Sequence, residues 1–236
     1  MSTRGVSIWN HPAPGIRRPR FSRQQIAEAA LAIADLEGIE AVSMRRVAAD
    51  LDAGVMSLYR YVRTKDDLID LMDDAVIGEL LVPEDELPTS WREAVALIAE
   101  RTREAYERHP WAAYPMPRSM PGPNAARHGE QSLAVLANAP LTRDEKIELW
   151  AIIDDFVVGH AIRSAKVAAR MILIQSTEAA IDLGLAELGS GRYPHSEAFL
   201  NGSDPRETLR DATDATRVAE RFERGLAAIL ASVAQR

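Results

Sequence analysis

The stretch from residue 43 to residue 67, Ser-Met-Arg-Arg-Val-Ala-Ala-Asp-Leu-Asp-Ala-Gly-Val-Met-Ser-Leu-Tyr-Arg-Tyr-Val-Arg-Thr-Lys-Asp-Asp, divides at Asp52-Ala53-Gly54 into two short runs with helical apolar spacing. Gly54 offers a backbone freedom that residues with a Cβ lack, and it is read as the turn. Val47, Ala48 and Leu51 make the buried side of the first run. Val55, Leu58 and Val62, at i, i+3 and i+7, make that of the second. This phase turns Met56, Ser57, Tyr59 and Arg60 outward, an unusual set for a face that meets only water. The pattern is a helix-turn-helix and points to DNA. The alternative is a helical hairpin within a bundle, with Tyr59 and Tyr61 as amphipathic surface residues.

The flanks favour the first reading. Ser22 followed by Gln25 is a capping box, with Phe21 and Ile26 placed as a hydrophobic staple, so a helix starts at Ser22. Ile26, Ala30 and Ile33 continue one face, and Gly38 is placed to end it. Thr64 caps a further helix whose first turn holds Asp66 and Asp67, favourable at the positive end of the helix dipole. Leu68, Met72, Ala75 and Val76 are its apolar face.

With these residues in order, the first third of the chain resembles the TetR family of bacterial transcriptional regulators. The resemblance is carried by Ile26 to Ala34, Gly38 to Arg45, and above all Leu58-Tyr59-Arg60-Tyr61-Val62-Arg63-Thr64-Lys65-Asp66-Asp67-Leu68. One departure is Asp52, where the family commonly has a glycine; Gly54 is expected to take the flexible position. The resemblance implies that Arg45 reaches a base edge or phosphate. It also implies that Val55, Met56, Ser57 and Arg60 form the recognition surface, while Tyr59, Tyr61 and Lys65 grip phosphates. The chemistry suits those roles, since arginine pairs with guanine edges, Met and Val touch thymine methyls, and hydroxyls and lysine serve phosphates. Tyr59 is equally compatible with half-buried packing, and Val55 with the core.

Charge is partitioned the same way. The chain carries a formal net charge of -7, yet residues 1–65 hold ten Lys or Arg against six Asp or Glu, leaving the rest strongly acidic. Arg17, Arg18 and Arg20 lie in a proline-broken segment and read as a flexible basic arm over residues 1–21, able to follow phosphates or enter a minor groove. A solubilising tail is the plainer reading.

The 236-residue chain is 47% hydrophobic and has no cysteine, which excludes disulfides, thiolate catalysis and cysteine-bound zinc. No apolar run reaches membrane-spanning length and no signal-peptide core follows the N-terminus, so no membrane partner and a cytoplasmic location are expected. No nucleophile elbow, phosphate loop or His-Glu-x-x-His pattern occurs. Asp155 and His160 lie about 140° apart on a helix and do not converge. Neither an enzyme, a metal nor a cofactor is expected.

After residue 80 the pattern is almost wholly helical, so the fold class is all-α: helix-turn-helix domain at 22–67, larger helical domain at 68–236. Ser90 with Glu93 opens a helix that Pro110 ends. The proline-rich segment from Trp111 to Pro123 reads as a pocket wall, and the apolar tract from Ile147 to Ile181 as one kinked helix or two. Aromatic, Met and polar residues here suggest a small-molecule effector pocket. The candidates are Trp91, His109, Trp111, Met116 and Met120 before the tract, and Trp150, Asp154, Phe156, His160 and Met171 within it. Asp154 and His160 are the most informative, because a polar group in an apolar helix needs a partner.

The last helix is expected to start with Asp204 as cap and Pro205 at its first position. Ala212, Ala215, Ala219, Phe222, Leu226, Ile229 and Val233 then follow a 3-4-3-4 seam. The seam is either monomer core or a homodimer interface; the resemblance implies the latter, with operator DNA read as two half-sites and an effector altering their separation.

Overall fold

The computed structural model describes residues 8–10, 21–114, 120–175, 186–187, 191–200, 202–203, 207, 211 and 214–233. Arg17, Arg18, Arg20, Met116, Ala212 and the Asp204 cap lie outside the described residues, as does the side chain of Met171. The elements are helical: α1 (Arg23–Glu37), α2 (Met44–Asp50), α3 (Val55–Leu58), α4 (Lys65–Leu80), α5 (Trp91–Arg108), α6 (Pro123–Ala137), α7 (Arg143–Gln175), α8 (Pro194–Leu200) and α9 (Ala215–Ser232). Two compact units are found, residues 1–158 and 159–236.

In the first unit, local caps set the helix boundaries. Ser22 Oγ accepts from the Gln25 backbone N–H at 3.1 Å, and Gln25 Oε1 accepts from that of Ser22 at 2.9 Å. Gly38 at φ 90° stops α1. Thr64 and Asp67 form a second capping box at the start of α4. Ile26, Ala30 and Ile33 of α1 join Val47, Leu58, Val62, Leu68 and Met72 in one core.

The turn differs from expectation. Gly54 sits at φ -71°, ψ 137°, open to any residue, while Asp52 takes the left-handed conformation at φ 47°. Asp and Asn tolerate that region better than most residues because their short polar side chains bond locally. Asp52 therefore does what glycine commonly does there. Regular helix also ends sooner than the apolar spacing suggested, at Leu58, with Tyr61 N–H returning to Leu58 O at 2.8 Å.

The expected arm is not free along its whole length. Ile8–Asn10 form a 3-10 turn whose Ile8 is fully buried in the core, and Trp9 Nε1 donates to Met120 O at 3.1 Å.

α4 packs against α1, α5 and α6. Its inward carboxylates reach the chain before and inside α6. Asp70 accepts from Met120 N–H at 2.8 Å, and Asp74 Oδ1 from Asn124 N–H at 2.9 Å and Ala125 N–H at 3.3 Å. α6 has no side-chain cap of its own, since Gly122 occupies that position. Asp74 thus caps it from another helix, matching carboxylate charge to exposed N–H groups. A Cβ on Gly122 would come within 2.5 Å of both Asp74 and Trp9, so only glycine fits. The Ser90 capping box is not formed; Ser90 precedes α5 without a side-chain hydrogen bond.

α7 is one helix of 33 residues as far as Gln175. In the second unit the final helix begins afresh, with Asp214 Oδ1 accepting from Arg217 N–H at 3.0 Å. Phe222, Leu226 and Leu230 are buried at four-residue spacing, with the Phe222 ring 5.0 Å from that of His160 in an edge contact.

Candidate nucleic-acid interface and effector cavity

The helix-turn-helix presents a coherent outward face. Met56 is 78% exposed and Tyr59 43%, with Arg45, Arg60 and Lys65 also exposed and Ser57 half-buried beside them. A methionine this open on a four-residue helix has no packing role; it is available to a thymine methyl. The two consecutive arginines of α2 are treated differently. Arg46 is held by Glu37 at 2.8 Å and Asp50 at 3.4 Å, whereas Arg45 extends outward.

Val55 is half-buried and packs against the core. Tyr61 is 6% exposed and lies within it, and its carbonyl accepts from Arg23 Nε at 3.4 Å. Tyr61 is therefore corrected from phosphate-gripping to structural: the turns after Leu58 rotate it inward beside Val62. The phosphate role came from the resemblance; Tyr61 lies three residues after Leu58, and helical spacing alone puts it on the same side as Leu58 and Val62.

A cavity lies between α5, α6 and α7. Val95, Ile98, Ala99 and Thr102 line it from α5; His128, Ser132, Val135 and Leu136 from α6; Leu149, Trp150, Ile153, Asp154 and Val157 from α7. Its enclosed space is about 60 Å³, smaller than drug-sized ligand sites of about 300–1,000 Å³, and it combines apolar walls with a few polar groups. Thr102 Oγ1 is occupied by Ile98 O at 2.8 Å. His128 Nδ1 and Ser132 Oγ are buried without hydrogen-bond partners. Burial pushes the His128 imidazole down against the nearby Asp154 carboxylate, and burial with Asp155 pushes Asp154 up. Both shifts favour the uncharged forms.

Of the sequence candidates, Trp150 and Asp154 line this cavity; several others are corrected. Trp91 carries the Arg92 guanidinium 4.2 Å above its ring, and Met120 is exposed at the α4 junction. Phe156 is half-buried on α7 outside the lining set, and His160 packs on Phe222 in the second unit. His109 and Trp111 serve a junction of helices instead. His109 Nδ1 meets Asp35 of α1 at 2.8 Å, its Nε2 meets Glu79 of α4 at 3.2 Å, and Trp111 Nε1 donates to Asp35 at 2.8 Å. Burial raises Glu79, yet the hydrogen bonds from Arg108 and His109 leave its carboxyl below the ordinary value. His128 and Ser132 were missed. Their four-residue spacing faces the same spacing of Trp150 and Asp154, a signal visible only once α6 and α7 are known neighbours.

The seam on α9 is also revised. Phe222 and Leu226 are buried within the chain, so its middle turns are core, while Ala215 is exposed and Ala219, Ile229 and Val233 are half-exposed. Among the described residues no group of His, Asp and Glu is placed to hold a metal, and no helix is long and apolar enough to cross a membrane.

A helix-turn-helix followed by helices that enclose a small-molecule cavity defines a one-component transcriptional regulator. The family of bacterial regulatory proteins, tetR family, matches residues 26–72, and the tetracyclin repressor-like C-terminal domain matches residues 83–236. The chain belongs to the TetR family, and it is a regulator rather than an enzyme. It is 38% identical over 192 residues to the HTH-type transcriptional repressor DrrR1 of Streptomyces coeruleorubidus, covering 75% of this chain and 68% of that protein. An HTH-type transcriptional regulator of Saccharopolyspora erythraea is 34% identical, covering 77% and 75%. Among solved structures, apo ActR from Streptomyces coelicolor superposes with a TM-score of 0.66 at 27% identity, covering 92% of this chain and 96% of that one. ActR has also been solved with (S)-DNPA (TM-score 0.64, 29% identity, covering 91% and 97%) and with actinorhodin (0.62, 25%, covering 90% and 94%).

Proposed function

We propose that the protein is a homodimeric repressor that leaves its operator when a small molecule fills the cavity between α5, α6 and α7. The observation that carries this reading is the double engagement of α4. Its first turn follows directly on the recognition segment, and its Asp70 and Asp74 hold the start of α6, whose next turns line the cavity. Movement of α6 around a ligand is thereby delivered to the helix that carries the recognition segment. A differential affinity of about 1–3 kcal/mol between the two states is an ordinary coupling. Arg45, Met56, Ser57, Tyr59, Arg60 and Lys65 are the proposed DNA face, with Val55 supporting it.

Relatives support the finer reading: DrrR1 is named a repressor, and ActR holds actinorhodin. A dimer is supported by the uncovered ends of the α9 stripe at Ala215, Ala219, Ile229 and Val233, and separately by exposed Ile147 and Ile152 on α7. Two copies read half-sites about 34–36 Å apart. Selection of bound DNA from a random library tests the proposal, with sizing of the protein at micromolar concentration. A palindromic site and a dimer are expected. Unselective binding, or a monomer on sizing, would overturn it.

A further inference from the structure

Resting on the operator-binding reading above, we infer that His109 is a positioning residue for the recognition segment: as an imidazolium it ties α1, α4 and the end of α5 together in the DNA-binding form, so operator affinity falls when that proton is lost. The residue caps the C-terminus of α5 and is only 6% exposed. Its Nδ1 lies 2.8 and 2.9 Å from the two carboxylate oxygens of Asp35 on α1, and its Nε2 lies 3.2 Å from Glu79 Oε1 on α4. A carboxylate only accepts, so each contact needs a proton on the ring nitrogen that faces it. A neutral imidazole carries one such proton and the imidazolium carries two. The arrangement is that of the charged ring, donating in two directions to two helices.

Both acceptors are held by a second donor. Asp35 Oδ1 also accepts from Trp111 Nε1 at 2.8 Å, and Glu79 Oε2 accepts from Arg108 Nη2 at 2.6 Å. Among the described residues, the charged groups that meet the ring directly or through Glu79 are Asp35 of α1, Glu79 of α4 and Arg108 of α5. Burial works to raise Glu79, yet the bonds from Arg108 and His109 leave it below its ordinary value, so an ionised oxygen faces Nε2. A neutral ring keeps its proton on Nδ1, where the contact is shorter and reaches two oxygens, and leaves a lone pair on Nε2 against Glu79. The contact with α4 then turns from attraction to repulsion. Glu79 stands near the far end of α4, whose first turn follows the recognition segment, and α1 shares the core of the helix-turn-helix. The ring therefore governs how firmly these two helices are fixed to each other. Histidine is the side chain whose charge ordinarily changes between about pH 5 and 8.

Glu79→Gln separates this role from a plain structural contact. The amide keeps an oxygen for Arg108 and turns an N–H toward Nε2, which suits the neutral ring and opposes the charged one. Fluorescence anisotropy on the selected operator, at fixed ionic strength from pH 6 to pH 8, compares the full wild-type chain with Glu79→Gln, with His109→Phe and with both exchanges together. Urea midpoints of the free proteins are taken over the same range. Wild type is expected to lose about three- to tenfold in affinity as pH rises, and Glu79→Gln to bind more weakly than wild type at pH 6 but more tightly at pH 8. Loss of a negative charge by itself would strengthen DNA binding alike at every pH and give no crossing. His109→Phe should remove most of the wild-type slope, and in that background Glu79→Gln should act equally at both ends of the range. Parallel profiles of wild type and Glu79→Gln, or a crossing that survives His109→Phe, would overturn the inference. A crossing in the urea midpoints with none in operator affinity also overturns it and leaves the repressor reading intact. A wild type that binds no selected site at any pH sinks the repressor reading, and this inference with it.

Discussion

Arg60 and Tyr61 are neighbours in sequence with opposite fates, one exposed beside the recognition helix and the other inside the core. Arg60→Ala is expected to weaken operator binding by about 1–3 kcal/mol with little change in melting temperature. Tyr61→Ala should instead destabilise the fold by about 3–5 kcal/mol, as large-to-small changes in cores do. Denaturation and gel shifts at fixed salt separate the two, and a loss of stability in Arg60→Ala would show the assignment reversed. His109 gives a second test at this scale. Both of its ring nitrogens face carboxylates, from α1 and α4, so it joins three helices through one side chain. His109→Phe keeps an aromatic ring against Trp111 but removes both polar contacts. A destabilisation of about 1–3 kcal/mol is expected in urea denaturation, and an unchanged midpoint would exclude a holding role. Such pairings were illegible in sequence, because Asp35 and His109 are separated by 74 residues. Asp52 was illegible for another reason: the left-handed turn was assigned to the nearest glycine, although aspartate adopts that conformation tolerably.

Among elements, caps within one turn were readable in part: Ser22 with Gln25 forms as its spacing predicts and Thr64 caps α4 as expected, whereas Ser90 with Glu93 does not close. The cap of α6 escaped because it is Asp74, fifty residues away. The α9 boundary shifted because Asp214, inside the expected seam, caps a fresh helix. Gly122→Ala should destabilise the junction by about 1–3 kcal/mol through overpacking, visible as a lower thermal midpoint. Asp70 and Asp74 give the junction a pH signature. Burial is the main cause raising both, against the N–H groups of Met120, Asn124 and Ala125 that lower them. A raised carboxyl keeps its proton to higher pH in the folded state than in the unfolded one. Its contribution to stability therefore grows as pH falls from the raised value toward the ordinary value near about 3.9, and is flat above the window. Wild type should gain on Asp74→Asn as pH is lowered through that window; denaturant midpoints that stay parallel from pH 7 to pH 4 would contradict it.

For the molecule as a whole, class was legible because it rests on contiguous residues 22–67, while the cavity lining was legible only at Trp150 and Asp154. A cavity is made by the relation between helices, and one sequence does not state which faces oppose. Its aliphatic wall, Val95 to Val157, is compositionally the same as core. The earliest described residues add one more consequence. Ile8 is fully buried and Trp9 wedges against Gly122 where α4 meets α6, so residues 8–10 are part of that junction. Deleting residues 1–10 should destabilise the fold by about 2–5 kcal/mol at most through the loss of Ile8, visible as a lower melting temperature. It should also slacken the transmission between cavity and DNA face, so that a saturating ligand releases less operator. Regulators of this build would then have their sensitivity adjustable from a short segment away from both sites: trimming or replacing it retunes the dose response without altering a residue on the proposed DNA face or in the cavity.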